Sequence, residues 1–162
     1  MKRIVVGLFM ALLCTTAVHA QSKSIVGKWK VASINVEGMN LDLEKPESIR
    51  QTIADQMSKA GQTPDSATLN MMFTRLTSTF EGMQLEFTSN GKAIYVMPDG
   101  QGSLKSDTAA YSIDNTLAEV NTVSKEDGVE KKETMSFKFE GDYLVLTKKE
   151  KEGETIRLKR IK

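Results

Sequence analysis

Two reactive side chains are almost missing from this 162-residue chain, which holds one cysteine and one histidine. Both, Cys14 and His19, fall within the first twenty residues, and that stretch reads as a secretory leader. Lys2 and Arg3 give it a basic start, residues 4–13 an apolar middle, and Val18-His19-Ala20 a small-residue cleavage site. An apolar run of ten residues is too short to span a bilayer, which takes about 20. Residues 1–20 are therefore expected to be removed, leaving 21–162 as an exported domain, periplasmic or secreted. Lipid attachment through Cys14 is the less favoured alternative, because Leu13 is larger than the residue such a site prefers.

Without its leader the chain has no thiol and no imidazole. That excludes Cys/His and Ser/His/Asp nucleophilic catalysis, a histidine-built zinc or haem site, and any disulfide. Loss of Lys2 and Arg3 lowers the basic residues from 22 to 20 against 21 acidic ones, a formal net charge of −1. Such balance gives no footprint for nucleic acid and no drive toward an anionic membrane once the leader is gone. The acids do not gather into a site either. Glu86, Asp114 and Glu119 sit in alternating segments that place them toward solvent, while Asp99, Asp127 and Asp142 belong to turns. No calcium loop spacing occurs, and Gly100-Gln101-Gly102 lacks both the third glycine and the following helix of a phosphate-cradling loop. The chain is accordingly not expected to be an enzyme or to carry a cofactor or metal.

What remains is a series of short alternating segments. Residues 25–36 read as a long first strand with Trp29, the only tryptophan, and Val31 on one face and Lys28 and Lys30 on the other. Residues 37–45 read as a mixed connection. The period then becomes helical: Pro46 suits a first helical position, Ile49, Ile53 and Met57 recur every four residues, and Gly61 offers a stop. Thr63 as N-cap with Pro64 behind it opens a second helix with Leu69, Met72, Phe73, Leu76 and Phe80 on one stripe. The helices are thus expected at 46–60 and 64–80.

After Gly82 the alternation is β to the end, with turns at Asn90-Gly91 (type I′ expected), Pro98-Asp99-Gly100, Asp114-Asn115, Asp127-Gly128, Gly141-Asp142 and Glu152-Gly153. Residues 101–107 read as a loop, with strands at 108–113 and 116–123 following. One strand before the helices and seven after, joined mostly by short turns, predict a mainly β fold. The architecture expected is an eight-stranded up-and-down antiparallel barrel with a two-helix insertion between strands 1 and 2.

Gly27-Lys28-Trp29 at the head of the first strand, the hairpin entry Leu85-Glu86-Phe87-Thr88-Ser89-Asn90-Gly91, and a basic residue on the last strand together resemble the lipocalin (calycin) group, in particular its small exported bacterial members. The resemblance implies that Trp29 lies across the base of the barrel with an arginine of the final strand on its ring. Arg160 shares the inward parity of Ile156 and Leu158 and fits that role, with Arg157 as the fallback. The helical hairpin departs from the usual lipocalin connection and is similar to that of fatty-acid-binding proteins, which have ten strands. Only the structural set Gly27, Trp29 and Arg160 is therefore carried over.

The function this implies is an exported binding protein for a small apolar or amphipathic molecule held in the barrel. Met72, Phe73 and Leu76 would close the mouth, and Leu85, Phe87, Tyr111, Phe137 and Phe139 would line the cavity. Seven methionines outside the leader favour adaptable apolar surface. The alternative is an exported interaction module with a filled barrel and no ligand, using residues 98–107 as a contact loop toward an unidentified protein partner.

Overall fold

The computed structural model describes residues 24–36, 39–63, 65–99, 103–126, 128–150 and 153–162. The leader read in residues 1–20, with Cys14 and the cleavage site, lies outside them, as do Pro64, Asp127 and Gly100-Gln101-Gly102. In chain order the elements are strands β1 (Gly27–Val36) and β2 (Met39–Asp42), helices α1 (Pro46–Lys59) and α2 (Ser66–Phe80), then strands β3 (Gln84–Phe87), β4 (Lys92–Pro98), β5 (Leu104–Asp114), β6 (Glu119–Glu126), β7 (Val129–Glu140), β8 (Tyr143–Lys148) and β9 (Thr155–Arg160). From β3 to β9 each strand pairs antiparallel with the next, and β9 returns to β1. Eight strands, β1 and β3 to β9, thus close a meandering barrel in which alternate residues face inward.

The strand that alternation missed is β2, inside the segment read as a connection. It adds a ninth strand outside the ring, pairing Met39–Asp42 with Ser33–Val36, while β3 takes the lower half of β1 from Gly27 to Lys30. The two helices therefore follow the second strand and not the first. Four residues are too few to display a period of their own, and β2 exists because β1 offers it a hairpin partner. A second hidden feature is a bulge in β1. Val31 opposes Leu158 and Ser33 opposes the adjacent Arg157, so Ala32 is an extra residue that shifts the facing pattern from Trp29 and Val31 to Ile34.

Local chemistry moved several boundaries. α2 is capped by Asp65 and not by Thr63, because the Asp65 carboxylate accepts from the Thr68 N–H at 2.8 Å and from its hydroxyl at 2.7 Å. Ser89 to Gly91 form a three-residue loop in place of a type I′ turn: Gly91 takes φ 78° but Asn90 does not turn positive, and the Gly91 N–H returns to Thr88. Residues 104–107, read as loop, pair with 95–98 as the start of β5, which shrinks the connection to 99–103, closed by Asp99 and Ser103. β6 starts late because the Asp114 carboxylate accepts from the N–H groups of Thr116 and Leu117, holding a turn that ends at Ala118 with φ 53°.

Two apolar clusters result. The barrel interior is filled by Ile25, Trp29, Leu85, Phe87, Ala93, Val120, Leu144, Leu146 and Leu158, none more than 7% exposed, with Val31, Tyr95, Tyr111, Met135, Phe137 and Phe139 packed on them. The second cluster joins Leu41 of β2 to Ile49, Ile53 and Met57 of α1, and half-buries Leu69, Phe73, Leu76 and Phe80 of α2. α2 itself buries no residue fully. Among the described residues no helix is long and apolar enough to cross a membrane.

Candidate functional site

At one end the barrel is shut. The Trp29 ring is 1% exposed and donates its indole N–H to the Ile25 carbonyl at 2.7 Å. Arg160, opposite Trp29 in the β1–β9 register, sets its guanidinium 4.2 Å from the ring centroid and donates to the carbonyls of Val26 (3.0 Å) and Ser24 (2.5 Å). Gly27 is required here twice over: its φ of +137° is one that side chains rarely adopt, and a Cβ would stand 2.5 Å from Arg160 Nη1. Phe139 lies 6.3 Å from Trp29, and Phe87 meets Tyr111 edge-on at 5.0 Å. The Tyr111 hydroxyl donates to the Thr88 carbonyl at 2.7 Å, and burial raises its pKa.

Toward the other end the inward face becomes polar. Tyr95 opposes Asp107, Thr122 opposes Glu133, and Lys148 opposes Met135, so all five polar side chains point to the barrel side of the sheet. Lys148 Nζ is 3.0 Å from Glu133 Oε1. Burial pushes the Tyr95 phenol up, opposed by a side-chain hydrogen bond with Thr122 and aided by the negative charges of Glu133 and Asp107. This interior suits a structural polar network better than an apolar guest.

An open space lies where the wall forks. At Ala32 the upper half of β1 goes with β2 and the lower half with β3. The Ala32 carbonyl accepts from the Leu43 N–H at 2.8 Å, and the Val31 N–H points to the Met83 carbonyl at 3.4 Å. Between the fork and the C-terminal half of α2 runs a groove of about 440 Å³. Val31, Leu43, Pro46, Phe73 and Phe80 form its apolar walls, and Lys30, Glu44, Thr77 and Glu81 its polar edge. Glu44 is held in place: Lys159 Nζ donates to it at 2.6 Å and the Tyr143 hydroxyl at 2.7 Å, which keeps its carboxyl below the ordinary glutamate range. A second hollow of about 450 Å³, lined by Lys30, Gly82, Gln84, Lys159, Arg160, Ile161 and Lys162, shares Lys30 and Gly82 with the first.

The residues expected to form one ligand site are thus dispersed, and the structural set Gly27, Trp29 and Arg160 stands apart from them. Phe73 alone lines the groove, and the Arg50 guanidinium sits 4.0 Å over its ring. Leu76 belongs to the hairpin cluster, and Met72 is 41% exposed. Leu85 and Phe87 are core, and Phe137 and Phe139 pack against that core. Gly27, Trp29 and Arg160 form the closed end. Glu119, expected toward solvent, is only 8% exposed and is ion-paired with Lys149. Lys30, Leu43, Glu44 and Phe80 escaped notice as site residues because the fork that assembles them depends on β2 and the Ala32 bulge. The one available signal was the outward parity of Lys30 beside inward Val31. Among the described residues no three His, Cys, Asp or Glu side chains gather to hold a metal.

No family model matches the chain, and no curated protein does. Among solved structures it is similar to a lipocalin-like protein from Bacteroides uniformis ATCC 8492, at 13% identity over 85% of this chain and 98% of that one, with a TM-score of 0.50. It is also similar to a duf4847 family protein from Bacteroides vulgatus ATCC 8482, at 11% identity over 85% of this chain and 94% of that one, with a TM-score of 0.53. At these identities the likeness is one of fold, and the fold is lipocalin-like.

Proposed function

We propose that this chain is an exported binding protein for a small apolar or amphipathic molecule, and that the molecule sits in the groove at the fork and not in the centre of the barrel. The observation that carries the reading is a mostly apolar groove edged by a few polar groups, beside a barrel whose centre holds a packed cluster of its own side chains. At about 440 Å³ the groove falls within the size of small-molecule sites, and its wall chemistry is theirs. Export rests on the leader pattern of residues 1–20, and a binding role in place of catalysis rests on the lack of thiol and imidazole in the rest of the chain.

Native mass spectrometry of the protein purified from its own host envelope tests this, together with a thermal-shift panel of lipids and other amphiphiles. A co-purifying small molecule, or a ligand that raises the melting temperature, is the expected result. At a hundredfold excess over Kd a ligand adds about 2.7 kcal/mol, easily read as a shift in melting temperature. Preparations free of ligand that no member of the panel stabilises would refute the binding function.

A further inference from the structure

The groove does not end at its apolar walls. Lys30 and Gly82 also line the second hollow, whose charged side chains are Lys30, Lys159, Arg160 and Lys162, with no Asp or Glu among the lining residues. Two of these cations are engaged, Arg160 on Trp29 and the carbonyls of Val26 and Ser24, and Lys159 on Glu44. Among the described residues Lys30 and Lys162 form no salt bridge, and Gln84, beside Lys30 in the β1–β3 register, adds an amide. The two acidic side chains of the two hollows, Glu44 and Glu81, both line the apolar groove. Glu44 is neutralised there by Lys159 and hydrogen-bonded by Tyr143.

We infer that the ligand is an anionic amphiphile: its hydrocarbon part lies in the groove against Leu43, Phe73 and Phe80, and its anionic head lies in the second hollow on Lys30 and Lys162. The inference rests on the binding role proposed above and adds the ligand's charge and orientation. The asymmetry of the space supports it. Apolar side chains crowd one hollow and four cationic side chains the other, and Lys30 stands in the wall of both. A cationic head would meet four positive side chains. The lining of both hollows leaves out Phe87, Leu144 and Leu158 at the barrel's centre, and Val31 alone belongs both to the groove and to the side chains packed on that core.

Isothermal titration calorimetry with three probes of one chain length, dodecanoate, dodecyl maltoside and dodecyltrimethylammonium, each below its micelle concentration, tests the assignment. Dodecanoate should bind most tightly and dodecyltrimethylammonium least, with the dodecanoate preference shrinking as salt is raised. Lys30→Gln and Lys162→Gln should each weaken dodecanoate by roughly fivefold, the worth of one charge at about 4 Å in a water-like dielectric, and leave dodecyl maltoside unchanged. Glu81→Gln should strengthen dodecanoate, while Phe80→Ala should weaken all three probes. Equal affinity for the three heads, or a dodecanoate preference that survives both lysine substitutions, overturns the charge assignment and leaves the groove standing. Failure of all three probes to bind overturns the groove itself, and the inference with it.

Discussion

Replacing Trp29 by alanine removes the largest fully buried side chain of the barrel, 1% exposed, at the point where β1, β3 and β9 meet. Truncating a buried tryptophan or phenylalanine to alanine loses about 3 to 5 kcal/mol, because transfer energy and the cavity left behind add. The indole hydrogen bond to Ile25 goes with it, and the Ile25 carbonyl is left without that donor. The Arg160 contact is a smaller share. Arg160 is exposed, so Arg160→Met should lose only about 1 to 2 kcal/mol for the ring contact and its two carbonyl hydrogen bonds. Urea denaturation reads the difference directly. With a slope near 2 kcal/mol per molar, Trp29→Ala should lower the midpoint by about 2 M and Arg160→Met by about 0.5 to 1 M. In the wild type the single tryptophan reports the same unfolding by fluorescence, and circular dichroism serves for the variant. A Trp29→Ala midpoint within about 0.5 M of wild type would refute the account of the closed end.

Gly27→Ala should destabilise by about 1 to 3 kcal/mol from its backbone conformation, and part of the loss should vanish when Arg160 is also shortened, since Cβ and Nη1 then no longer collide. A double-mutant cycle by thermal melting measures this coupling. For Glu44, Lys159 and then Tyr143 hold the carboxyl below its ordinary range, so its contribution is complete above that range and disappears as the pH falls through the lowered value. The stability gap between wild type and Glu44→Gln, followed in urea from pH 7 to pH 3, should therefore be flat at first and close on the acid side; a gap that widens on acidification contradicts the pairing. α2, with no fully buried residue, should exchange its amide hydrogens sooner than α1, whose Ile49, Ile53 and Met57 are buried. Hydrogen-exchange mass spectrometry showing α2 as the slower helix would contradict the packing.

The barrel could be read from the chain because its strands carry their own period. Met135, Phe137 and Phe139 alternate with Ser136 and Lys138, and each places its apolar members inward as the alternation requires. The helical hairpin was legible for the same reason, through the four-residue spacing of Ile49, Ile53 and Met57. What could not be read depends on partners distant in sequence. β2 is four residues long and exists through β1; the Ala32 bulge is visible only against β9. The groove is the product of both, so its residues, Lys30 on one strand, Leu43 and Glu44 after another, Phe73 and Phe80 on a helix, share no local pattern. The apolar inward positions looked like cavity lining in the sequence because a lined cavity and a packed core use the same residues, and only their mutual contacts distinguish the two.

The claim that most needs testing is the place of the ligand: at the fork and not in the centre of the barrel. A dodecanoate analogue carrying a diazirine on its chain, bound below saturation and photolysed, would mark its neighbours for peptide mass spectrometry. The account predicts labels on Leu43, Phe73 or Phe80, competed away by dodecanoate. Labels concentrated on Phe137, Leu146 or Leu85 would place the ligand inside the barrel and contradict it.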